Sequence, residues 1–193
     1  LVQAQMRMLQ AQIEPHFLFN TLATIQSLIG RSPERASLML DNFIAYLRQS
    51  LSASRAQDGT VQQEVTLLQH YLELIRIRMG ERLQYGFDVD PALASAPLAP
   101  MLLQPLVENA IKHGLEPKVE GGRVDVAIGR DGDSMTLRVR DNGLGFGEHA
   151  DSAGTGVGLA NLRERLNVLY DGRATLTVAD ANPGTDITIR VPL

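Results

Sequence analysis

Apolar residues in the first 79 positions recur at steps of three and four, which is the spacing of one face of an α-helix. A turn signal at residues 30–33 separates the first helix from the second, with Ser32 as N-cap and Pro33 at the first helical position. A small, polar loop at residues 52–60 precedes a third helix. The three stripes consist of Val2, Met6, Leu9, Ile13, Leu18, Leu22, Ile25 and Ile29; of Leu40, Ile44, Leu47 and Leu51; and of Val61, Val65, Leu68, Leu72, Ile75 and Met79.

From residue 81 onward, apolar residues recur at every second position in several short runs, the pattern of strands with one buried face. Strands are predicted at residues 85–89, 124–128, 135–139, 174–178 and 187–191, helices at 100–112 and 157–170, and a turn at 182–184. This mixture predicts an α+β sandwich. The chain is therefore expected to divide into helices at residues 1–60, a connecting helix at 61–80 and an α+β domain at 81–193.

The predicted helical hairpin is too small to bury its apolar stripes by itself. Stripes of this kind on short antiparallel helices usually belong to a bundle, and two helices supply little core. We therefore expect two chains to dimerise and form a four-helix bundle from their hairpins.

Composition narrows the class of protein. Hydrophobic residues make up 44% of the 193 positions, which is enough for a folded core. A net charge of −4 without a long Lys/Arg run argues against nucleic acid as a partner. The absence of cysteine excludes disulfides and thiolate metal sites, and no apolar run approaches the roughly 20 residues that span a bilayer. Because the chain begins without Met inside a helical pattern, we expect it to be part of a longer protein.

A proline interrupts the first helix directly before a histidine. Pro15 removes one backbone donor and clashes with the carbonyl of Ala11, so a helix that only had to pack would not place it there. We expect the function of His16 to require this irregularity in the helix. Pro15 creates a soft point at which bending would move the histidine.

Three polar patches in the predicted α+β domain, residues 81–193, indicate a nucleotide site. In the first, the amide oxygen of Asn109 suits Mg²⁺, while Lys112 and His113 lie within reach of phosphates. The alternative for this patch is a solvated helix end with Gly114 as its C-cap.

The other two patches are rich in glycine. In the second, the carboxylate of Asp141 suits an exocyclic amine, and Gly143 and Gly145 let the backbone approach a ring, although such a sequence alone is often only a turn. The third, residues 154–159, opens a helix whose N-terminus suits phosphate. The three patches together, in this order and separated by strands, favour a nucleotide site.

At these residues the sequence resembles a known family. The three patches resemble the N, G1 and G2 boxes of the Bergerat (GHKL) ATP-binding fold. With residues 12–20, which contain His16, they are similar to sensor histidine kinases of the LytS type. The resemblance also includes residues 71–82, residues 160–166 and the strand at Gly184 and Thr185, and so extends over nearly the whole chain.

The resemblance implies a role for each patch. His16 would be the phosphoacceptor, Asn109 the Mg²⁺ ligand and Asp141 the group that recognises adenine. Residues 144–157 would form a lid over the triphosphate. The implied ATP-binding residues are Asn109, Lys112, His113, Asp141, Gly143, Gly145, Thr155, Gly156, Gly158, Leu159 and Thr185.

Two features separate phosphoryl transfer from ATP hydrolysis. ATPases of this fold carry a glutamate one turn before the magnesium asparagine, and Pro105 stands at that position here. Glu108 is next to Asn109, so a regular helix would turn it about 100° away. A neutral histidine, by contrast, has a free lone pair for the γ-phosphorus.

The proton acceptor for His16 is not evident from the sequence. Many histidine kinases have an acidic residue directly after the phosphoacceptor, but this chain has Phe17. Asn20, one turn along, is expected to orient the ring through its second nitrogen. Glu14 is a possible base.

The sequence predicts the catalytic core of a dimeric sensor histidine kinase. It would bind Mg·ATP in the α+β domain, phosphorylate His16 and pass the phosphoryl group to an aspartate of a response regulator. The resemblance implies that this core is the cytoplasmic region of an integral membrane sensor, attached to the membrane only through the missing N-terminal part. The alternatives are a Bergerat-fold module that binds ATP as a regulatory ligand, or an ATPase of the same fold.

Overall fold

The computed structural model describes residues 15–56, 58–145 and 155–193. It begins with two helices, α1 (Pro15–Ile29) and α2 (Pro33–Arg55). The predicted turn joins them, with Ser32 as N-cap and Pro33 as the first helical residue. Helix α2 continues four residues into the segment that was predicted as a loop. Its small residues are compatible with a helix, and the hydroxyl of Ser54 donates a hydrogen bond back to the carbonyl of Leu51 at 3.0 Å.

Helix α3 (Val61–Met79) lies in the middle of the molecule. A capping box fixes its start: Gln63 N–H donates to Thr60 Oγ1 at 3.3 Å, and Thr60 N–H donates to Gln63 Oε1 at 3.0 Å. The helix contacts α1 and α2 as well as the second region of the chain. Its apolar residues are therefore buried around more than one face; they include Leu67, Leu68, Leu72, Leu74 and Ile75.

The second region combines two helices with one five-stranded sheet. Its elements in chain order are β1 (Leu83–Val89), α4 (Gln104–Asn109), a π-helical continuation of α4 (Ala110–Leu115), β2 (Gly122–Asp131), β3 (Ser134–Asp141), α5 (Thr155–Leu169), β4 (Thr175–Asp180) and β5 (Thr185–Pro192). The strand order is β1-β2-β3-β5-β4. Strand β1 is parallel to β2, and the other neighbours are antiparallel.

Alternation along the strands gives the sheet one apolar and one charged face. The buried apolar positions of the three central strands are Val124, Val126, Ile128, Met135, Leu137, Val139, Ile187, Ile189 and Val191. Residues at other strand positions form ion pairs, including Arg138 with Asp186 and Arg123 with Asp125. A sheet with one apolar face covered by helices is an α+β sandwich, so the predicted fold class is confirmed.

The helix predicted to begin at residue 100 begins at Gln104. Met101 has a φ of 58°, which is not helical, and the segment before α4 is held from both sides. The buried carboxylate of Glu64 on α3 accepts the N–H groups of Met101 and Leu103, each at 2.7 Å. Arg165 on α5 donates to the carbonyls of Pro100 at 2.6 Å and Met101 at 3.0 Å. These contacts come from distant parts of the chain and overrule the local helical pattern.

Candidate functional site

Asp141, the last residue of β3, lies at the bottom of the predicted nucleotide site. Its Oδ1 accepts the N–H of Gly143 at 2.8 Å, and its carboxylate also accepts the backbone N–H of Thr185. Burial raises the pKa of Asp141, while these two N–H groups and the charge of Lys118 oppose the increase. The carboxylate is thus fixed in place, and its remaining lone pairs can accept a hydrogen bond from an amine.

The first two patches meet beside Asp141. A Cβ added to Gly143 would lie 2.4 Å from the carbonyl carbon of Gly114, so only glycine allows the two backbones to pass so closely. The N–H of Leu144 donates to the carbonyl of Gly114 at 3.1 Å. Gly145, with a φ of 70°, follows at the edge of the same site.

The third patch approaches the first from the other side. A Cβ on Gly158 would lie 3.8 Å from the side-chain nitrogen of Asn109, the last residue of α4. Thr155 and Gly156 open α5, two residues before the predicted start at residue 157, and Leu159 is buried in the core. Residues 146–154, most of the predicted lid, lie outside the described residues.

A cavity of about 240 Å³ joins helix α1, which carries His16, to the Asn109 patch. Its lining combines residues of α1, α2 and α3 with residues of α4 and its π-helical continuation: His16, Phe17, Tyr46, Tyr71, Ile75, Arg78, Glu108, Asn109, Ile111, Lys112, His113 and Glu116. The cavity therefore brings together the predicted phosphoacceptor, the predicted metal ligand and both predicted phosphate-binding side chains.

Asn20 lies one turn beyond His16 on α1. Its Nδ2 is 3.2 Å from both ring nitrogens of His16. This position is compatible with the predicted orienting role, which stays a prediction. Glu14, the possible base, lies outside the described residues, as does Ala11, whose carbonyl Pro15 was expected to leave unpaired.

Phe17, at the position where many histidine kinases have an acidic residue, is a core residue in this chain. Its ring packs against those of Tyr46 and Tyr71, with centroid distances of 5.5 Å and 5.4 Å. Sequence reasoning missed both tyrosines as parts of the site. The only signal was their position among the apolar residues of α2 and α3, which does not distinguish a site from an ordinary core.

Glu108 was expected to face away from Asn109, but both residues line the cavity. The Nε2 of Gln104 donates to Glu108 Oε1 at 2.8 Å, which holds this carboxylate along the helix. Pro105 occupies the position four residues before Asn109, so no carboxylate stands there. In the described part of the chain, no group of three or more His, Asp or Glu side chains could hold a metal ion.

Two families match consecutive parts of the chain, and the first of the two matches includes α3. "Histidine kinase" matches residues 4–83, and "Histidine kinase-, DNA gyrase B-, and HSP90-like ATPase" matches residues 97–193. The chain belongs to the histidine kinase family. The resemblance inferred from the motifs is thereby confirmed, and the ATPase-like domain supports ATP as the nucleotide that this chain binds.

Curated relatives match the chain along almost its entire length. It is 33% identical over 202 residues to the sensor protein LytS of Staphylococcus haemolyticus, covering 100% of this chain and 35% of that protein. It is 32% identical over 197 residues to the sensor histidine kinase YpdA of Escherichia coli, covering 98% of this chain and 34% of that protein. The chain thus spans about a third of the length of these relatives. None of the helices in its described ranges is long and apolar enough to cross a membrane.

Solved structures show the same fold. The histidine kinase domain of the blue-light activated kinase of Erythrobacter litoralis EL346 superposes with a TM-score of 0.52 at 19% identity, covering 98% of this chain and 91% of that one. The histidine kinase AdeS of Acinetobacter baumannii gives 0.51 at 16% identity, covering 91% and 94%.

Proposed function

We propose that this chain is the core of a two-component sensor kinase that transfers the γ-phosphoryl group of Mg·ATP to His16. One observation carries the proposal: His16 lines the same cavity as Asn109, Lys112 and His113. An exposed imidazole facing a phosphate-binding surface is suited to phosphoryl transfer, which depends on position and charge neutralisation.

In the proposed transfer, a ring nitrogen of neutral His16 attacks the γ-phosphorus with its lone pair. The bond between the γ-phosphorus and the bridging oxygen breaks, and its electron pair leaves on ADP. Lys112 and His113 neutralise phosphate charge, and Asn20 holds the ring in its orientation. After the transfer, the other ring nitrogen still carries its proton, which it releases to solvent water.

Asn109 would hold the Mg²⁺ ion through its amide oxygen. A single protein ligand suits Mg²⁺, which keeps several waters and binds phosphate oxygens. The metal would neutralise charge on the phosphates. The nearby start of α5, where Gly158 approaches Asn109, supplies free backbone N–H groups for the same phosphates.

The adenine ring would bind beside Asp141. The carboxylate accepts a hydrogen bond from the exocyclic amine, and the close packing of the Gly114 and Gly143 backbones holds the adjoining loop beside it. Thr185, whose N–H holds the carboxylate, lies within the same site.

We propose that two chains dimerise through their hairpins. Apolar side chains on the outer face of α1 support this: Phe19 is 72% exposed, Leu22 49% and Ile29 60%. Such a stripe on a monomer would be an unusual apolar surface. The partner downstream would be the receiver domain of a response regulator, and the whole protein would be a membrane sensor with this core in the cytoplasm.

Incubation with γ-labelled ATP and Mg²⁺ tests the kinase against its alternatives. We expect an acid-labile, base-stable label on the protein that is absent from His16→Gln. Free phosphate without labelled protein would indicate an ATPase. Binding of ATP without either product would indicate a regulatory module.

A further inference from the structure

Three aromatic rings connect the helix of His16 to the other helices of the same chain. Phe17, Tyr46 and Tyr71 come from α1, α2 and α3, and their centroids are 5.4–5.9 Å apart. They are 8%, 2% and 5% exposed, so the cluster is part of the core. Because Phe17 directly follows His16, this packing fixes the start of α1 against α2 and α3.

A hydrogen bond extends this cluster to the helix of Asn109. The Nε2 of Gln104, in the first turn of α4, donates to the hydroxyl of Tyr46 at 3.2 Å and to Glu108 Oε1 at 2.8 Å. Burial and the charge of Glu108 raise the pKa of Tyr46, so its hydroxyl stays protonated. Both Tyr46 and Gln104 are buried, which makes the loss of this contact costly.

These contacts form one uninterrupted path within a single chain. It runs from His16 through the rings of Phe17 and Tyr46 to Gln104, and along α4 to Asn109. We propose that Phe17, Tyr46, Tyr71 and Gln104 form a latch that presents His16 to the nucleotide site of its own chain, so that phosphoryl transfer occurs within one subunit. This inference rests on the proposed kinase function and names positioning residues for it.

Mixed chains test the direction of transfer. Two tagged forms of the chain, His16→Gln and Asn109→Ala, are co-expressed, purified together and incubated with γ-labelled ATP. The first lacks the acceptor and the second lacks the metal ligand. Transfer within one subunit leaves both chains unlabelled. Transfer between subunits labels the Asn109→Ala chain, and this result would overturn the inference.

The wild-type chain paired with the double variant serves as the positive control. Here we expect label on the wild-type chain only. If the wild-type chain incubated alone takes no label, the kinase proposal itself fails, and that outcome is distinct from label on the Asn109→Ala chain.

Tyr46→Phe tests the latch separately. It keeps the ring in the cluster and removes the hydroxyl that Gln104 contacts. We expect the phosphorylation rate to fall roughly two- to tenfold, the range of one lost hydrogen bond, with ATP affinity unchanged. Tyr85→Phe is the matched control. It removes a hydroxyl that donates a hydrogen bond to Glu73 at 2.7 Å, and this contact does not involve the aromatic cluster.

Each outcome for Tyr46→Phe decides the role of the latch. A lower rate with normal ATP affinity supports it, provided that Tyr85→Phe transfers at the wild-type rate. An unchanged rate overturns it. A parallel loss of ATP affinity also overturns it, because Tyr46 would then act on the nucleotide site instead of on the presentation of His16.

Discussion

At the scale of single residues, two buried carboxylates have opposite surroundings. Asp141 ends a strand beside the proposed nucleotide site and keeps lone pairs that can accept a hydrogen bond from a ligand. Glu64 uses both oxygens on the backbone of Met101 and Leu103 and lies within the core. Burial raises the pKa of both carboxylates, but only Asp141 lies beside the proposed nucleotide site, where its charge would affect ligand binding.

Asp141 should make ATP binding sensitive to acid. Only the charged carboxylate accepts the amine's hydrogen bond fully, and the raised pKa means that protonation begins at a higher pH than for an ordinary aspartate. ATP affinity should therefore fall as the pH is lowered, as measured by calorimetry. Asp141→Asn should weaken binding at least about tenfold and remove this pH dependence. Asp125→Asn, which changes a half-exposed carboxylate paired with Arg123, should leave the ATP affinity and its pH dependence unchanged.

Glu64→Gln should destabilise the protein by about 1–3 kcal/mol, the cost of leaving a buried donor unpaired. Glutamine offers one acceptor oxygen where the carboxylate offers two, so one of the two N–H groups would face an amide NH₂. Thermal unfolding measures the change. Glu164→Gln, at an exposed position of α5, should unfold like the wild type, and an equal loss in both variants would contradict this account.

At the scale of elements, sequence periodicity predicted some boundaries and missed others. Helix α3 runs over the predicted residues, Val61–Met79, because its stripe and its capping box agree. The start of α4 was missed because Glu64 and Arg165, far away in sequence, set the backbone at residues 100–103. The π-helical bond from Glu116 N–H to the Ile111 carbonyl, 2.8 Å, has no signal in a pattern of period 3.6.

The site also depends on the close approach of the Gly143 loop to the end of the π-helical segment. Gly143→Ala would place a methyl group within 2.4 Å of the Gly114 backbone, so the two elements must separate. We expect phosphorylation to fall roughly tenfold or more, as displacements on the order of 1 Å do at catalytic sites. Gly129→Ala in β2 is the control, since its Cβ would come no nearer than 3.8 Å to Thr136 Oγ1. Equal activity of the two variants would show that the approach is not required.

At the scale of the whole molecule, the motifs predicted which residues meet, but not how the two regions join. The prediction that Asp141 and the glycine patches share a site followed from their chemistry. The latch was not predictable, because Phe17, Tyr46, Tyr71 and Gln104 each lie on a different helix and read as ordinary core residues.

The exposed stripe of α1 predicts the state of association. Leu22→Glu should convert a dimer to a monomer, because a charge would have to be buried in the bundle. Light scattering gives the mass. Ser27→Glu, at an exposed position about 140° around the helix, should stay dimeric. If transfer occurs within one subunit, the Leu22→Glu monomer should still take label from ATP, whereas a wild-type chain that is already monomeric would contradict the dimer.

Helix α3 packs against the hairpin on one side and against β1 and α4 on the other. Its length therefore sets the relative rotation of His16 and the proposed ATP site about the helix axis. One inserted residue would rotate everything beyond it by about 100° and shift it by about 1.5 Å. Any separation of His16 from the proposed ATP site would therefore require a bend before Val61 or a loss of contact between the aromatic rings, because α3 is one continuous helix.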